Sequence, residues 1–448
     1  MRNQKKVKWT VQPRMQRQEM DSPPPKASRV DQAMKELWEK LLTSTIHLDS
    51  ALSQLPPKLK SILAQMVPRI LLSPASLAEA LGVGVAPGEP WSLVETPSLA
   101  RWRPALMMAQ RLYESMEQKP VDVTPLECDF PPEMVQEWKK SWGEKRALEL
   151  VEVLATSAPL FIRASRKVGA PAVLATLKKK DQIPVRAQLC QFSPVGVELA
   201  GYAPILKSDA YAQGWFEIQD EGSQWMALFT LWPEVYGGLL QSSPGKVSQV
   251  SLKGMVRQLP EKDLQLTVVD ACAGAGGKSL ALADLLKGKG RVYAYDTSLG
   301  KLQALRRRAK RAGLTNIQVT QVVDITASDA PSEEPVVSQF KNQADVVLVD
   351  APCTGWGVLR RNPDIKWRQK KESLTRMPEL QIRILSEYSK LVRPGGRLVY
   401  GVCTFRPEET TDVVKRFLKA HPEFQAAQGG YLGPGPMDGF FMQALVKS

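Results

Sequence analysis

At 448 residues the chain is long enough for two or three domains, each burying its own core. A formal charge of +14 points to a polyanionic partner, and no apolar run approaches the ~18 residues that a membrane span requires. Five scattered cysteines and two histidines exclude a disulfide framework and a histidine-rich metal site, so no metal is expected and a reducing cytoplasm fits best.

Residues 1–30 hold eight Lys or Arg against Glu19 and Asp21 and include Pro23-Pro24-Pro25, which predicts a disordered basic arm. Over 31–120 apolar positions recur at helical spacing, as in Leu37, Leu41, Leu42 and Ile46, and predict an all-α domain. Over 121–258 a linker, a helix at 133–155 and short strand-like runs at 160–163, 185–189 and 214–219 predict a compact α+β module. From 259 to 448 the rhythm becomes strand, turn, helix, the pattern of a doubly wound, Rossmann-like α/β sheet. Its strands are expected at 264–269, 291–295, 317–323, 345–349 and 397–402, with a late strand at 438–446.

The first of these strands runs into Asp270-Ala271-Cys272-Ala273-Gly274-Ala275-Gly276-Gly277-Lys278. Its glycines let the backbone approach a ligand, and the next helix points its N-terminus at the same spot. The loop lacks the spacer of a P-loop, although Gly277-Lys278-Ser279 mimics the end of one, and it departs from the dinucleotide fingerprint. The second strand closes in Asp296, placed to accept ribose hydroxyls, and the third in Asp324, facing the adenine side. An adenosine cofactor with an amino-acid tail, S-adenosylmethionine, fits this pattern and implies a class I methyltransferase fold.

Two further strands lead into Asp350-Ala351-Pro352-Cys353-Thr354-Gly355 and Tyr400-Gly401-Val402-Cys403-Thr404-Phe405. Carbon 5 of cytosine is a poor nucleophile. A thiolate added at carbon 6 turns the ring into an enamine whose carbon 5 attacks an electrophilic methyl, and a second group must then remove the carbon 5 proton. That chemistry needs a nucleophilic cysteine, an acid near ring nitrogen 3 and help with elimination. Cys403, Asp350 and Cys353 supply these at adjacent strand ends. Either cysteine alone reads better as a small buried apolar residue; the paired placement reverses that reading.

These two motifs, with Arg360-Arg361-Asn362-Pro363-Asp364-Ile365-Lys366-Trp367 and the Pro407-Glu408-Glu409 that follows Cys403, resemble the Nop2/Sun family of RNA cytosine-5 methyltransferases in its bacterial, RsmB-like branch. The likeness runs from about residue 125 to the C-terminus. It implies that Cys403 is the nucleophile, that Cys353 assists release, that Asp350 binds the target ring and that Lys278 lies against cofactor and base. It further implies that Cys272, Ala273, Gly274, Ala275, Gly276, Gly277 and Lys278, with Asp296, Asp324 and Asp350, hold S-adenosylmethionine. The expected product is 5-methylcytosine in ribosomal RNA, 16S RNA foremost, and the α+β module is expected to bind RNA. Gly274 and Ala275 stand where that family usually has alanine and proline, and 329–343 looks like an insertion.

Two basic groups flank the expected crevice. One is Lys301, Arg306, Arg307, Arg308, Lys310 and Arg311, read as a solvated helix face. The other is Arg360, Arg361, Lys366, Arg368, Lys370 and Lys371 around Trp367, read as an RNA contact. The alternatives are a non-catalytic RNA-binding assembly factor, the same chemistry on tRNA, or a class I methyltransferase acting on an amino group. The last would have no use for paired cysteines.

Overall fold

The computed structural model describes residues 129–179, 186–200, 205–245, 259–260, 263–324, 340–369 and 371–448, with isolated stretches before 129. The expected basic arm and all-α region therefore lie almost wholly outside the described residues, as does most of the expected insertion. Among the described residues no helix is long and apolar enough to cross a membrane. The chain divides into two compact units.

The first unit holds residues 1–158 and 358–371. Helix α1, Pro132–Trp142, begins with a proline in its first turn and Glu133 beside it, and buries Met134, Val135 and Trp138. Gly143, at φ +80°, ends α1 and leads directly into α2, Glu144–Leu154, which buries Ala147, Leu150, Val151, Val153 and Leu154. Arg360 donates to the backbone oxygen of Ser157 at 2.9 Å. Lys366 is only 2% exposed; it donates to the Asp129 carbonyl at 2.7 Å and lies 4.0 Å from the Phe130 ring centroid. Burial pushes its ammonium down to about 7 against a weaker pull from Asp129. The expectation that Lys366 contacts RNA is therefore corrected: its head group is spent inside this unit. The side chains of Trp367 and Arg368, and Lys370, lie outside the description.

The second unit holds residues 159–357 and 372–448. It opens with a small α+β module: β1, Leu160–Ala164, α3, Ala170–Lys179, β2, Arg186–Leu189, β3, Gly196–Ala200, and β4, Phe216–Ile218. The four strands are antiparallel in the order β2-β3-β1-β4. Helix α4, Glu221–Leu231, follows and is buried on nearly every face, as a helix apolar all round must be. Its Trp225, Met226 and Leu228 join one core with Val268, Leu282, Val346 and Val399.

The large sheet is built from β5, Thr267–Asp270, β6, Arg291–Asp296, β7, Ile317–Gln321, β8, Ala344–Asp350, β9, Val392–Val402, β10, Phe424–Leu432, and β11, Phe440–Lys447. Their order is β10-β11-β9-β8-β5-β6-β7. The first five in sequence pair in parallel, whereas β11 runs antiparallel to both β9 and β10. The helices between them are α5, Gly277–Leu285, α6, Leu299–Arg311, α7, Lys371–Ser389, and α8, Thr411–Ala420. The expected α/β doubly wound class is thus present. Strand β10 escaped the sequence because its first half is exposed and its centre is Gly429-Gly430, so no apolar alternation marks it.

The chain leaves β5 toward β6 and β7 and then returns to β8 on the other side. This reversal opens the crevice at the carboxyl ends of β5 and β8 where ligands bind in such sheets. The small module is fastened near that crevice by buried charge. Arg163 pairs with Asp284 of α5 at 2.8 Å, and Arg308 and Arg311 of α6 both pair with Glu217 of β4. Arg308 and Arg311 are therefore structural ties, while Lys301, Arg306, Arg307 and Lys310 stay exposed as the solvated-face reading expects.

Candidate active site

The turn after β5 depends on two left-handed glycines. Gly276, at φ +91°, caps α5, and a Cβ there would sit 2.5 Å from Leu305 Cγ. Gly274, at φ +54°, has open space around the same position, so the backbone forms a bare cradle. Asp296 braces it: one carboxylate oxygen accepts from Gly274 N and the other from Ser298 N, each at 2.8 Å. Each oxygen keeps a second lone pair for a ligand. Arg308 supports the loop from outside, donating to the Ala275 carbonyl at 2.6 Å. Asp324 stands exposed, three residues beyond the end of β7, where the sequence reading expected it to close the strand.

Beneath the cradle Asp270 is 1% exposed. Ser279 Oγ donates to one of its oxygens at 2.6 Å; among the described residues the other accepts no hydrogen bond of good geometry, although the Cys272 backbone amide lies near enough to favour the charged form. Burial pushes this carboxyl from 3.8 up to about 6, with Asp350 adding to the rise and Ser279 and Lys278 opposing it. A buried acceptor with a spare oxygen below a bare backbone turn fits a ligand carrying a cationic amino group. The unfolded chain ionises this carboxyl near pH 4 and the folded chain near pH 6. The folded state is therefore unpenalised below about pH 4, loses stability between about pH 4 and 6, and carries the full cost of about 3 kcal/mol above that. Asp270→Asn should accordingly raise the melting temperature relative to the unsubstituted protein at about pH 8 and lose that advantage near pH 4. An equal shift at both pH values would show that the charge at Asp270 is not the cause.

Lys278, in the first turn of α5, reaches Asp350 at the end of β8: Nζ to Oδ2 is 2.6 Å, with side chains 12% and 24% exposed. Burial alone lowers the Lys278 ammonium, but the carboxylate at contact distance more than offsets it, and the group stands above the usual lysine value. Asp350 is thus one half of an ion pair rather than a free acid. The Cys353 and Cys403 sulfurs lie 3.3 Å apart, just beyond the ends of β8 and β9. The Cys353 thiol is raised well above its ordinary value, chiefly by its hydrogen bond to Cys403, then by burial and by the nearby charges of Cys403 and Glu409. Cys272 sits half-buried at the start of the cradle; burial and the surrounding Asp270, Asp350 and Asp296 push its thiol up strongly.

The structure therefore brings Lys278, Asp350, Cys353 and Cys403 together beside the cradle formed by Cys272, Ala273, Gly274, Ala275, Gly276 and Gly277. Behind the two cysteines lies a buried network without an assigned role in the sequence. Glu409, 0% exposed, accepts from Thr354 N and Thr354 Oγ1 at 2.9 and 2.5 Å, from Gln381 at 2.9 Å and from Arg406 at 3.2 Å. Its only signal in the sequence is its place in Pro407-Glu408-Glu409, directly after the second cysteine motif.

The 16S rRNA methyltransferase RsmB/F family matches residues 257–435. Among curated relatives, a probable ribosomal RNA small subunit methyltransferase B of Bacillus subtilis is 40% identical over 159 residues, 36% of this chain and 34% of that protein. The corresponding probable enzyme of Synechocystis is 27% identical over 315 residues, 68% of this chain and 60% of that protein. The chain thus spans about a third to two thirds of the length of these relatives. Among solved structures, one titled NSun6 from Pyrococcus horikoshii with SFG superposes with a TM-score of 0.56 at 18% identity, covering 71% of this chain and 98% of that one. The structure of PH0851 superposes with a TM-score of 0.64 at 22% identity over 96% of this chain and all of the other.

Proposed function

We propose that this chain, whose residues 257–435 match the RsmB/F methyltransferase family, transfers a methyl group from S-adenosylmethionine to carbon 5 of a cytosine in 16S ribosomal RNA. The observation that carries the proposal is the pairing of two thiols 3.3 Å apart with a Lys278–Asp350 ion pair at the same set of strand ends. Chemistry on an amino group would need neither sulfur.

In this reading the bare turn at Gly274–Gly276, Asp296 and the spare oxygen of Asp270 hold the cofactor, with Asp324 on the adenine side. The cofactor supplies an electrophilic methyl group. Cys403 adds to carbon 6 of a flipped-out cytosine and loads electron density onto the ring. Flipping costs a few kcal/mol and is easiest in single-stranded RNA. Asp350 accepts from the exocyclic amino group, and the Lys278 charge beside it stabilises the density arriving at the pyrimidine. Cys353 takes the carbon 5 proton, the 5,6 double bond re-forms and the Cys403 sulfur leaves. The net charge of +14 supplies salt-dependent attraction for RNA phosphates.

Bisulfite conversion of 16S RNA incubated with the protein and S-adenosylmethionine tests this: one cytosine should become resistant to conversion. Methyl incorporation that leaves every cytosine convertible would refute the carbon 5 assignment, and incorporation only into tRNA would favour that substrate instead.

A further inference from the structure

We propose that Glu409 is a positioning residue for the release step, fixing the Cys353 loop against Cys403 so that the two sulfurs keep separate tasks. The inference rests on the methyltransferase reading above and adds a residue to it. Thr354, next to Cys353, gives both its amide and its hydroxyl to the Glu409 carboxylate. The Thr354 hydroxyl also lies 3.0 Å from that of Thr404, next to Cys403. Gln381 donates to Glu409 and to the carbonyl of Pro352, on the other side of Cys353, at 2.9 Å each. The Glu409 carbonyl accepts from Tyr400 OH at 2.7 Å, which ties it to β9. One buried carboxylate thus holds the residues on both sides of Cys353 and spans to the Cys403 strand.

Its charge is balanced by Arg406, 6% exposed, which also donates to the Leu374 carbonyl and lies 5.2 Å from the Trp356 ring centroid. Among the described residues, Cys403 and Tyr400 also act on Cys353, and the Lys278–Asp350 pair acts on its neighbour Cys403. The two sulfurs meet unlike surroundings: the Lys278 ammonium acts on Cys403, and the Glu409 carboxylate, held one residue away by Thr354, adds to the rise at Cys353. At release the carbon 5 proton moves to the Cys353 thiolate, the carbon–hydrogen pair becomes the 5,6 double bond, and the carbon 6–sulfur pair returns to Cys403. A carboxylate behind Cys353 makes it the stronger base for that proton and sets its reach.

Glu409→Gln keeps the shape and removes the charge, and Thr354→Ala removes only the hydroxyl contacts. With 16S RNA and S-adenosylmethionine, the covalent protein–RNA adduct should form within about 2-fold of the normal rate in both variants. It should resolve roughly 10-fold more slowly in Glu409→Gln and by a smaller factor in Thr354→Ala. Without RNA, the pH midpoint for alkylation of Cys353 by iodoacetamide, followed by peptide mass spectrometry, should move down in Glu409→Gln. Equal losses in adduct formation and resolution, or an unmoved alkylation midpoint, would overturn the inference. If the unsubstituted protein transfers no methyl and Cys353→Ala forms no adduct, the functional reading fails, while the RNA-free alkylation still decides the part played by Glu409.

Discussion

Replacing Cys403 by alanine should abolish methyl transfer, by about 10⁴-fold or more, while S-adenosylmethionine and RNA still bind. The magnitude follows from the role: without addition at carbon 6, carbon 5 has no electron density to give, and losing a nucleophile outright costs on this scale. The side chain is half-buried at the edge of the main core, so its removal deletes only a small packing contact. Cys353→Ala should fail differently. Addition and methylation proceed, release stalls, and protein accumulates covalently bound to RNA. Purified variants compared by tritiated methyl incorporation and denaturing gels separate the two outcomes. Identical behaviour of the two variants would remove the division of labour between the sulfurs.

Asp350→Asn should lower kcat/KM by about 10² to 10³, the scale for losing one preorganised polar group that orients the ring and keeps the stabilising Lys278 charge in place. It also strands the Lys278 ammonium in a site where it is only 12% exposed. With Asp350 ionised, Lys278 stands above the usual lysine value and is charged at every working pH. In the variant burial acts with its largest opponent gone, so the ammonium loses its proton at lower pH. The ratio of variant to normal rate should therefore fall as pH rises, since the charge on Lys278 is lost only in the variant. A ratio that is flat with pH would mean that Asp350 acts on the substrate alone and not by holding Lys278 charged.

The positions of Asp270, Lys278, Asp296, Asp350, Cys353 and Cys403 were legible because each closes a strand that apolar residues announce or lies in the turn that follows one, and a parallel sheet brings such ends together. What they contact was not legible. Glu409 reaches Thr354 and Gln381 across long stretches of chain, and hydrogen bonds of that kind leave no periodic trace. Lys366 illustrates the same gap in reverse: amid neighbouring basic residues it reads as surface, yet it is buried over Phe130. Two of the six basic residues of α6 likewise prove to be ties to Glu217, because pairing with a distant strand is a tertiary event. Asp324 lies three residues past the strand it was expected to close, because β7 stops at Gln321.

The central claim is that the sulfur of Cys403 bonds to the target pyrimidine. The most direct measurement is tandem mass spectrometry of the adduct formed by Cys353→Ala with 16S RNA and S-adenosylmethionine. A nuclease-trimmed cytidine, carrying one added methyl, should be found on the peptide containing Cys403 and on no other. Attachment to Cys272 or Cys190, or no covalent species under conditions where the unsubstituted protein methylates RNA, would contradict it.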